Sequence, residues 1–178
     1  MFIKRRRAVL SAIALAGAAV LGLSHSAVAV QPSTMQHQSS GYCVDDPDNS
    51  TTNGTPIQLF KCLGDVNQEV GLEVTNYGND TYYELFFHNG KCIDDPDDSA
   101  TNGEELQIWS CLGNENQAWS VTQIGSGYLE FSNANGKVCI DDYNDSNTDG
   151  NIIQVWSCSG DNAQQWNLPR VSIGNAHA

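Results

Sequence analysis

Three aspartates, Asp45, Asp94 and Asp141, each stand two residues after a cysteine. Each is followed at one fixed spacing by a glutamine and then an aromatic ring: Gln58 and Phe60, Gln107 and Trp109, Gln154 and Trp156. A second amide cluster comes later in every case, as Asn67-Gln68, Asn116-Gln117 and Ala163-Gln164. A carboxylate accepts hydrogen bonds, an amide donates and accepts, and a flat ring offers an apolar face. Residues two apart on an extended chain share a side, so each glutamine and its aromatic face the same way. This set suits reversible binding rather than bond breaking. Catalysis would call for an unrepeated acid, base or nucleophile, and none stands out. His37 and His88 are isolated in the sequence and His177 lies in the tail. The expectation is a protein that is not an enzyme and needs no cofactor.

Further acidic residues crowd the same loops: Asp46 and Asp48, then Asp95, Asp97 and Asp98, then Asp142 and Asp145. Calcium sites gather several carboxylates, but no dense Asp-x-Asp-x-Asp loop is present, and no metal is expected. Asp, Pro, Asn and Gly are also the residues of ordinary turns. Asp45, Asp94 or Asp141, taken singly, would read as a turn residue. The joint recurrence with amide and ring favours a binding site.

The six cysteines form three pairs with one separation: Cys43 and Cys62, Cys92 and Cys111, Cys139 and Cys158. The simplest reading is three local disulfides. No close Cys-x-x-Cys pattern offers a zinc site instead. The segments CVDDPDNSTTNGTPIQLFKC, CIDDPDDSATNGEELQIWSC and CIDDYNDSNTDGNIIQVWSC align without a gap. A repeat of this length implies supersecondary units that share one core. We expect repeats at about 35–75, 81–124 and 127–171. Strands are expected at Tyr83 to Phe87 and Tyr128 to Phe131, and again over Ile57 to Phe60, Leu106 to Trp109 and Ile153 to Trp156. On those last three, Leu59, Ile108 and Val155 are assigned to one face, with Ile57, Leu106 and Ile153 off it. Trp119 and Trp166 are expected to plug the core, with Val70 at the equivalent place in the first repeat. Closure removes exposed strand edges, so a closed β barrel with threefold pseudosymmetry is favoured over an open stack.

Cys-(Val/Ile)-Asp and Gln-x-aromatic-x-Cys in all three repeats, with Asn-Gly in the first two and Gln-x-Trp in the last two, in this order resemble the ricin-type lectin domain over about Met35 to Val171. The resemblance implies an all-β, β-trefoil fold and up to three carbohydrate sites. A sugar presents hydroxyls and an apolar C–H face, which matches the residue types. In the second repeat the resemblance assigns Asp94 to accept from sugar hydroxyls, Trp109 to stack and Asn116 to bond a hydroxyl. Gln107 lines the wall and Gln117 holds Asp94. The first repeat has Asp45, Gln58, Phe60, Asn67 and Gln68, with a smaller ring. The third has Asp141, Gln154, Trp156 and Gln164, with Ala163 at the asparagine position and Asn162 one residue early. The second set is the most complete. Galactose-type sugars or a polysaccharide are the implied ligands. Trefoils also serve as protein-binding or protease-inhibitor modules. The one unrepeated loop for that role is Thr75 to Thr81, and it reads as an ordinary turn.

The first 29 residues read as a secretory signal. Lys4 to Arg7 are positive, Ala8 to Leu23 are apolar, and Ala27-Val28-Ala29 has the small-x-small form of a cleavage site. The apolar run is short for a membrane span, so no membrane insertion is expected, and residues 30–178 form one secreted domain. Removal of Lys4, Arg5, Arg6 and Arg7, four of the eight positive charges, takes the formal charge from −13 to −17. So acidic a chain is a poor partner for nucleic acid.

Overall fold

The computed structural model describes residues 33–125 and 127–169. The proposed signal segment and Arg170-Val171 lie outside them. The chain is built from short strands joined by turns, with five single-turn 3-10 helices among the described residues. β-Branched and aromatic residues occupy the strands, and Gly, Asn and Asp occupy the corners, as their backbone preferences dictate.

Each repeat contributes a hairpin headed by its first cysteine. Cys43–Asp45 pairs antiparallel with Gln58–Phe60, Lys91–Asp94 with Gln107–Ser110, and Val138–Asp142 with Asn151–Ser157. Longer hairpins link successive repeats. Glu69–Tyr77 pairs with Asp80–Phe87, and Trp119–Ile124 with Tyr128–Asn133. The ring closes where Trp166 pairs with both Leu129 and His37, and where Ser33 pairs with Val70. Around the barrel mouth each repeat also pairs with the next. Thr55 lies opposite Ile108, Glu104 opposite Val155, and Asn151 opposite Leu59. The fifteen strands of the described residues thus form one sheet closed on itself in three like sectors, a β-trefoil. Among the described residues no helix is long and apolar enough to cross a membrane.

Trp119 and Trp166 are wholly buried, and each indole N–H donates to a carbonyl, at 3.2 Å to Ile93 and 3.0 Å to Ile140. That bond is what allows an indole to sit in an apolar core. Val70 takes the equivalent place in the first repeat and is also buried. Beside it Gly71 has no side chain, and the Phe86 ring lies against its backbone.

One sequence expectation is corrected. Ile57, Leu106 and Ile153 are not turned away from Leu59, Ile108 and Val155, for all six are buried in one core. Strand side chains alternate, so residues two apart must share a face. Gln58, Gln107 and Gln154, with the aromatics that follow them, take the other.

The three expected disulfides are present, Cys43–Cys62, Cys92–Cys111 and Cys139–Cys158, with Cα atoms 5.0 to 5.1 Å apart. Each closes a loop of about 20 residues, which should stabilise the fold by roughly 3 kcal/mol through the unfolded chain. A Cys92→Ser/Cys111→Ser variant is expected to lose about that much in guanidinium unfolding. A midpoint unchanged from the native protein would refute the estimate.

Candidate functional site

The outward face of each cysteine-headed hairpin carries the same construction. In the second repeat Asp94 is held from two sides. Gln107 Nε2 donates to Oδ1 at 2.8 Å and Gln117 Nε2 to Oδ2 at 2.9 Å. Gln117 is completely buried, and its amide also donates to the Ser110 carbonyl and accepts from the Leu112 N–H. Both ends of this amide are therefore used, which orients Asp94 without a charge. The third repeat repeats the pattern, with Gln154 and Gln164 on Asp141 at 2.8 and 3.1 Å. The first repeat does so with Gln58 and Gln68 on Asp45, both at 2.9 Å. There Asn67 adds a third amide, donating to Asp45 Oδ2 at 2.9 Å.

The structure thus brings each sequence-predicted aspartate together with both of its glutamines. The aromatics lie on the same outward face. Phe60 and Trp109 are half-buried and Trp156 is exposed. Asp94, Gln107, Trp109 and Asn116 line a cavity of about 370 Å³. Asp141, Gln154 and Trp156 line one of about 590 Å³, which Asn162 and Ala163 also border. The repeat with the fullest residue set therefore has the smaller of these two cavities.

Burial pushes the Asp94 and Asp141 carboxyls above the usual carboxylate range, and the glutamine bonds offset this in part. Only the ionised form accepts from ligand hydroxyls at both oxygens. Ligand affinity at these sites is therefore expected to fall on acidification sooner than an ordinary carboxylate would predict, and to be level at alkaline pH. A titration by calorimetry in which acid strengthened binding would contradict this.

The second aspartate of each Asp-Asp pair does something else. Asp46, Asp95 and Asp142 are fully buried. Asp46 accepts from the Ser50 N–H, Asp142 from the Ser146 N–H, and so each ties its own loop. The next residues, Asp48-Asn49, Asp97-Asp98 and Asn144-Asp145, have positive φ. That is the conformation short polar side chains tolerate best after glycine. These acidic loops are built as turns. Each buried carboxyl also receives a group from the following repeat: Asn89 on Asp46, Asn133 on Asp95, and His37 on Asp142.

His37 is therefore not isolated, as the sequence suggested. It is buried, 3.3 Å from Asp142, with its ring 5.2 Å from that of Trp166. Its Nε2 contacts the Asn162 carbonyl at 2.9 Å, so Nε2 carries a hydrogen and Nδ1 faces Asp142. Burial lowers the His37 pKa and raises that of Asp142 to about 7. The same Nδ1 lies 3.0 Å from Ser40 Oγ, so the ring is held on both of its nitrogens. His88, by contrast, sits at the surface beside Glu69.

Sequence reasoning also missed a contact between repeats. Asn53 Oδ1 accepts from the Ser110 N–H at 3.0 Å, Asn102 Oδ1 from the Ser157 N–H at 2.8 Å, and Asp149 Oδ1 from the Lys61 N–H at 3.0 Å. Ser110, Ser157 and Lys61 directly follow the three site aromatics. The glycines after the acceptors, Gly54, Gly103 and Gly150, have φ of +86°, +92° and +82°. A Cβ on Gly54 would lie 3.7 Å from Trp109 and Gln107, and one on Gly103 would lie 3.9 Å from Trp156 and Gln154. Each loop thus braces the strand that carries the ring of the next repeat. Asn102→Ala is expected to weaken the third site several-fold and leave the second, in its own repeat, within about twofold, as a loss of one hydrogen bond implies. Calorimetry on single-site proteins would decide it, and weakening of the second site alone would refute the assignment. The Thr75 to Thr81 segment is the tip of the Glu69–Tyr77/Asp80–Phe87 hairpin, turning at Gly78-Asn79.

Comparison with known proteins agrees with this geometry. The family profile described as "Ricin-type beta-trefoil lectin domain-like" matches residues 69–156 and 115–178. Among solved structures, the designed threefold-symmetric protein ThreeFoil is 28% identical with a TM-score of 0.68, covering 76% of this chain and 95% of its own. The exo-β-1,3-galactanase 1,3Gal43A from Clostridium thermocellum is 31% identical with a TM-score of 0.70. The match spans 79% of this chain but only 30% of the galactanase. The Macrolepiota procera ricin B-like lectin, solved with lactose, shares the fold at 14% identity and a TM-score of 0.65, covering 80% of this chain and 96% of its own. No curated protein sequence gives a significant match. The profile matches, the closed threefold barrel and the repeated aspartate–glutamine–aromatic sites place the chain in the ricin-type β-trefoil lectin-like family.

Proposed function

We propose that this protein is an exported lectin that binds galactose-type sugars, free or in a polysaccharide, and catalyses no reaction. The observation that carries this reading is the threefold recurrence of one arrangement. A carboxylate is fixed by two glutamine amides beside an outward-facing ring. A fixed acceptor and a stacking face match a sugar's hydroxyls and C–H face. Asp45, Asp94 and Asp141 accept from hydroxyls, Phe60, Trp109 and Trp156 stack, and Asn116 adds a donor, whereas the Asn67 amide is spent on Asp45 and the Asp46 carbonyl. The 31% identity to part of a β-1,3-galactanase, and a lactose-bound lectin of the same fold, favour galactose-type ligands. The signal segment is cut after Ala29, and the disulfides form outside the cell, where the redox environment maintains them.

Each site is shallow, so one sugar binds near the millimolar range, about −4 kcal/mol. Several sites on one rigid body raise avidity for a polysaccharide by roughly 10²–10⁴. The test is a glycan array with residues 30–178, disulfides formed, beside a variant combining Asp45→Ala, Asp94→Ala, Trp109→Ala, Asp141→Ala and Trp156→Ala. Galactoside binding that the variant loses is the expected result. A folded native protein silent across the array would overturn the reading.

A further inference from the structure

The three loops that open the sites begin alike and then diverge at one position. Asp45-Asp46 is followed by Pro47 and Asp94-Asp95 by Pro96, but Asp141-Asp142 is followed by Tyr143. Proline has no N–H to give, and both prolines start a 3-10 turn, Pro47–Asn49 and Pro96–Asp98. Tyr143 has an N–H, and it donates to the Ile152 carbonyl at 3.1 Å, while Asn151 Nδ2 donates to the Tyr143 carbonyl at 2.9 Å. The strand Asn151–Ser157 accordingly runs unbroken for seven residues, where the other repeats break at Ile57 and Leu106, giving Thr55–Pro56 then Gln58–Phe60 and Glu104–Glu105 then Gln107–Ser110. The backbone of Tyr143 is pinned on both sides, and its ring is spent on no core contact. It is 44% exposed, and Trp156 is 42% exposed. Both border the 590 Å³ cavity of the third site, whereas Pro96 and Trp109 border the 370 Å³ cavity of the second.

A single pyranose stacks well on one ring. Two exposed rings at one enlarged cavity, with Asn144, Asp145 and Asn162 as further polar lining, match a longer ligand. We propose that the third site takes a run of at least two linked sugars, with Tyr143 as the second stacking face, while the second site takes a single sugar residue. This rests on the lectin reading above and assigns Tyr143 as the residue that makes the sites differ.

The test uses two single-site proteins. Asp45→Ala/Asp94→Ala leaves the third site, and Asp45→Ala/Asp141→Ala leaves the second. Galactose, β-1,3-galactobiose and β-1,3-galactotriose are titrated into each by calorimetry. The third site is expected to tighten on the order of tenfold from galactose to the longer ligands, the gain an added ring face gives. The second should change by less than about threefold. Tyr143→Ala, which keeps the backbone N–H, should remove the length gain and leave galactose affinity within about twofold. Tyr143→Phe should keep the gain. Equal length gains at both sites, or a gain that survives Tyr143→Ala in a folded protein, would overturn the proposal while leaving the lectin reading intact. Failure of both proteins to bind any of the three sugars would overturn the galactose reading and this proposal together.

Discussion

Gln117→Glu is expected to abolish the second site and to lower the unfolding free energy by about 3 kcal/mol. The substitution preserves shape almost perfectly, so a cavity is not the cause. Gln117 is fully buried, and its Nε2 donates both to Asp94 and to the Ser110 carbonyl. A carboxylate in its place has no hydrogen to give. Two acceptors lose their partner, and a second negative charge is placed against Asp94. Protonating the introduced carboxyl supplies only one O–H for two acceptors, so Asp94 or the Ser110 carbonyl stays unpaired, and a proton taken by Asp94 instead removes the ionised acceptor the ligand needs. Gln117→Ala should be similarly unstable but for a different reason, since it also strands the Leu112 N–H. Guanidinium unfolding and calorimetry with a galactoside would read both effects. A Gln117→Glu protein of native stability would show that the amide is not the clamp described.

The protein is also expected to be more stable at pH 5 than at pH 8. Asp95 is fully buried, one of its carboxylate oxygens has no partner, and Asn133 reaches the other only at 3.5 Å. Burial raises its pKa from 3.8 to about 7. Such a carboxyl holds its proton more tightly folded than unfolded. Its stabilising effect is complete below pH 3.8 and is lost as the pH rises through about 7. A shift of this size is worth at most about 4 kcal/mol. Asp142 follows the same direction, with its pKa also raised to about 7. His37, lowered by burial, opposes it on the acid side, so Asp95 gives the cleaner experiment. Asp95→Asn should raise Tm at pH 8 by several degrees and change it little at pH 5. A stabilisation equal at both pH values would mean that Asp95 is ionised throughout. Ligand binding runs the other way, because Asp94 and Asp141 must be ionised to accept. Binding and stability therefore compete as the solution is acidified.

Much of the site was legible in the chain itself. Asp94, Gln107 and Trp109 repeat in register with Asp45, Gln58 and Phe60 because each lies within one hairpin, where short-range spacing fixes geometry. The disulfides and the buried tryptophans could be read for the same reason. The face assigned to Ile57 and its equivalents failed because alternation was applied against its own period. The contacts that escaped join residues far apart in the chain. His37 meets Asp142, and Asn53 meets Ser110, only after the barrel closes. Nothing in the spacing of a repeat reports what the neighbouring repeat supplies. Tyr143 escaped for another reason. It departs from the repeat, and a comparison that seeks what recurs passes over the position that differs.

The bracing of each ring-bearing strand by the loop of another repeat has a consequence for how such a molecule can be cut or can arise. Phe60 relies on Asp149, Trp109 on Asn53 and Trp156 on Asn102, in a closed cycle. The working unit is the junction between two repeats rather than the repeat. Deleting one repeat would remove one site outright and leave a second without its brace, so two of three sites would suffer from the loss of a third of the sequence. A lone repeat would be half of two junctions and a whole of none. A single-repeat ancestor with this geometry could bind only as a ring of three identical chains. Fusing those copies into one chain would then have freed each junction to change alone, as the third has done with Tyr143.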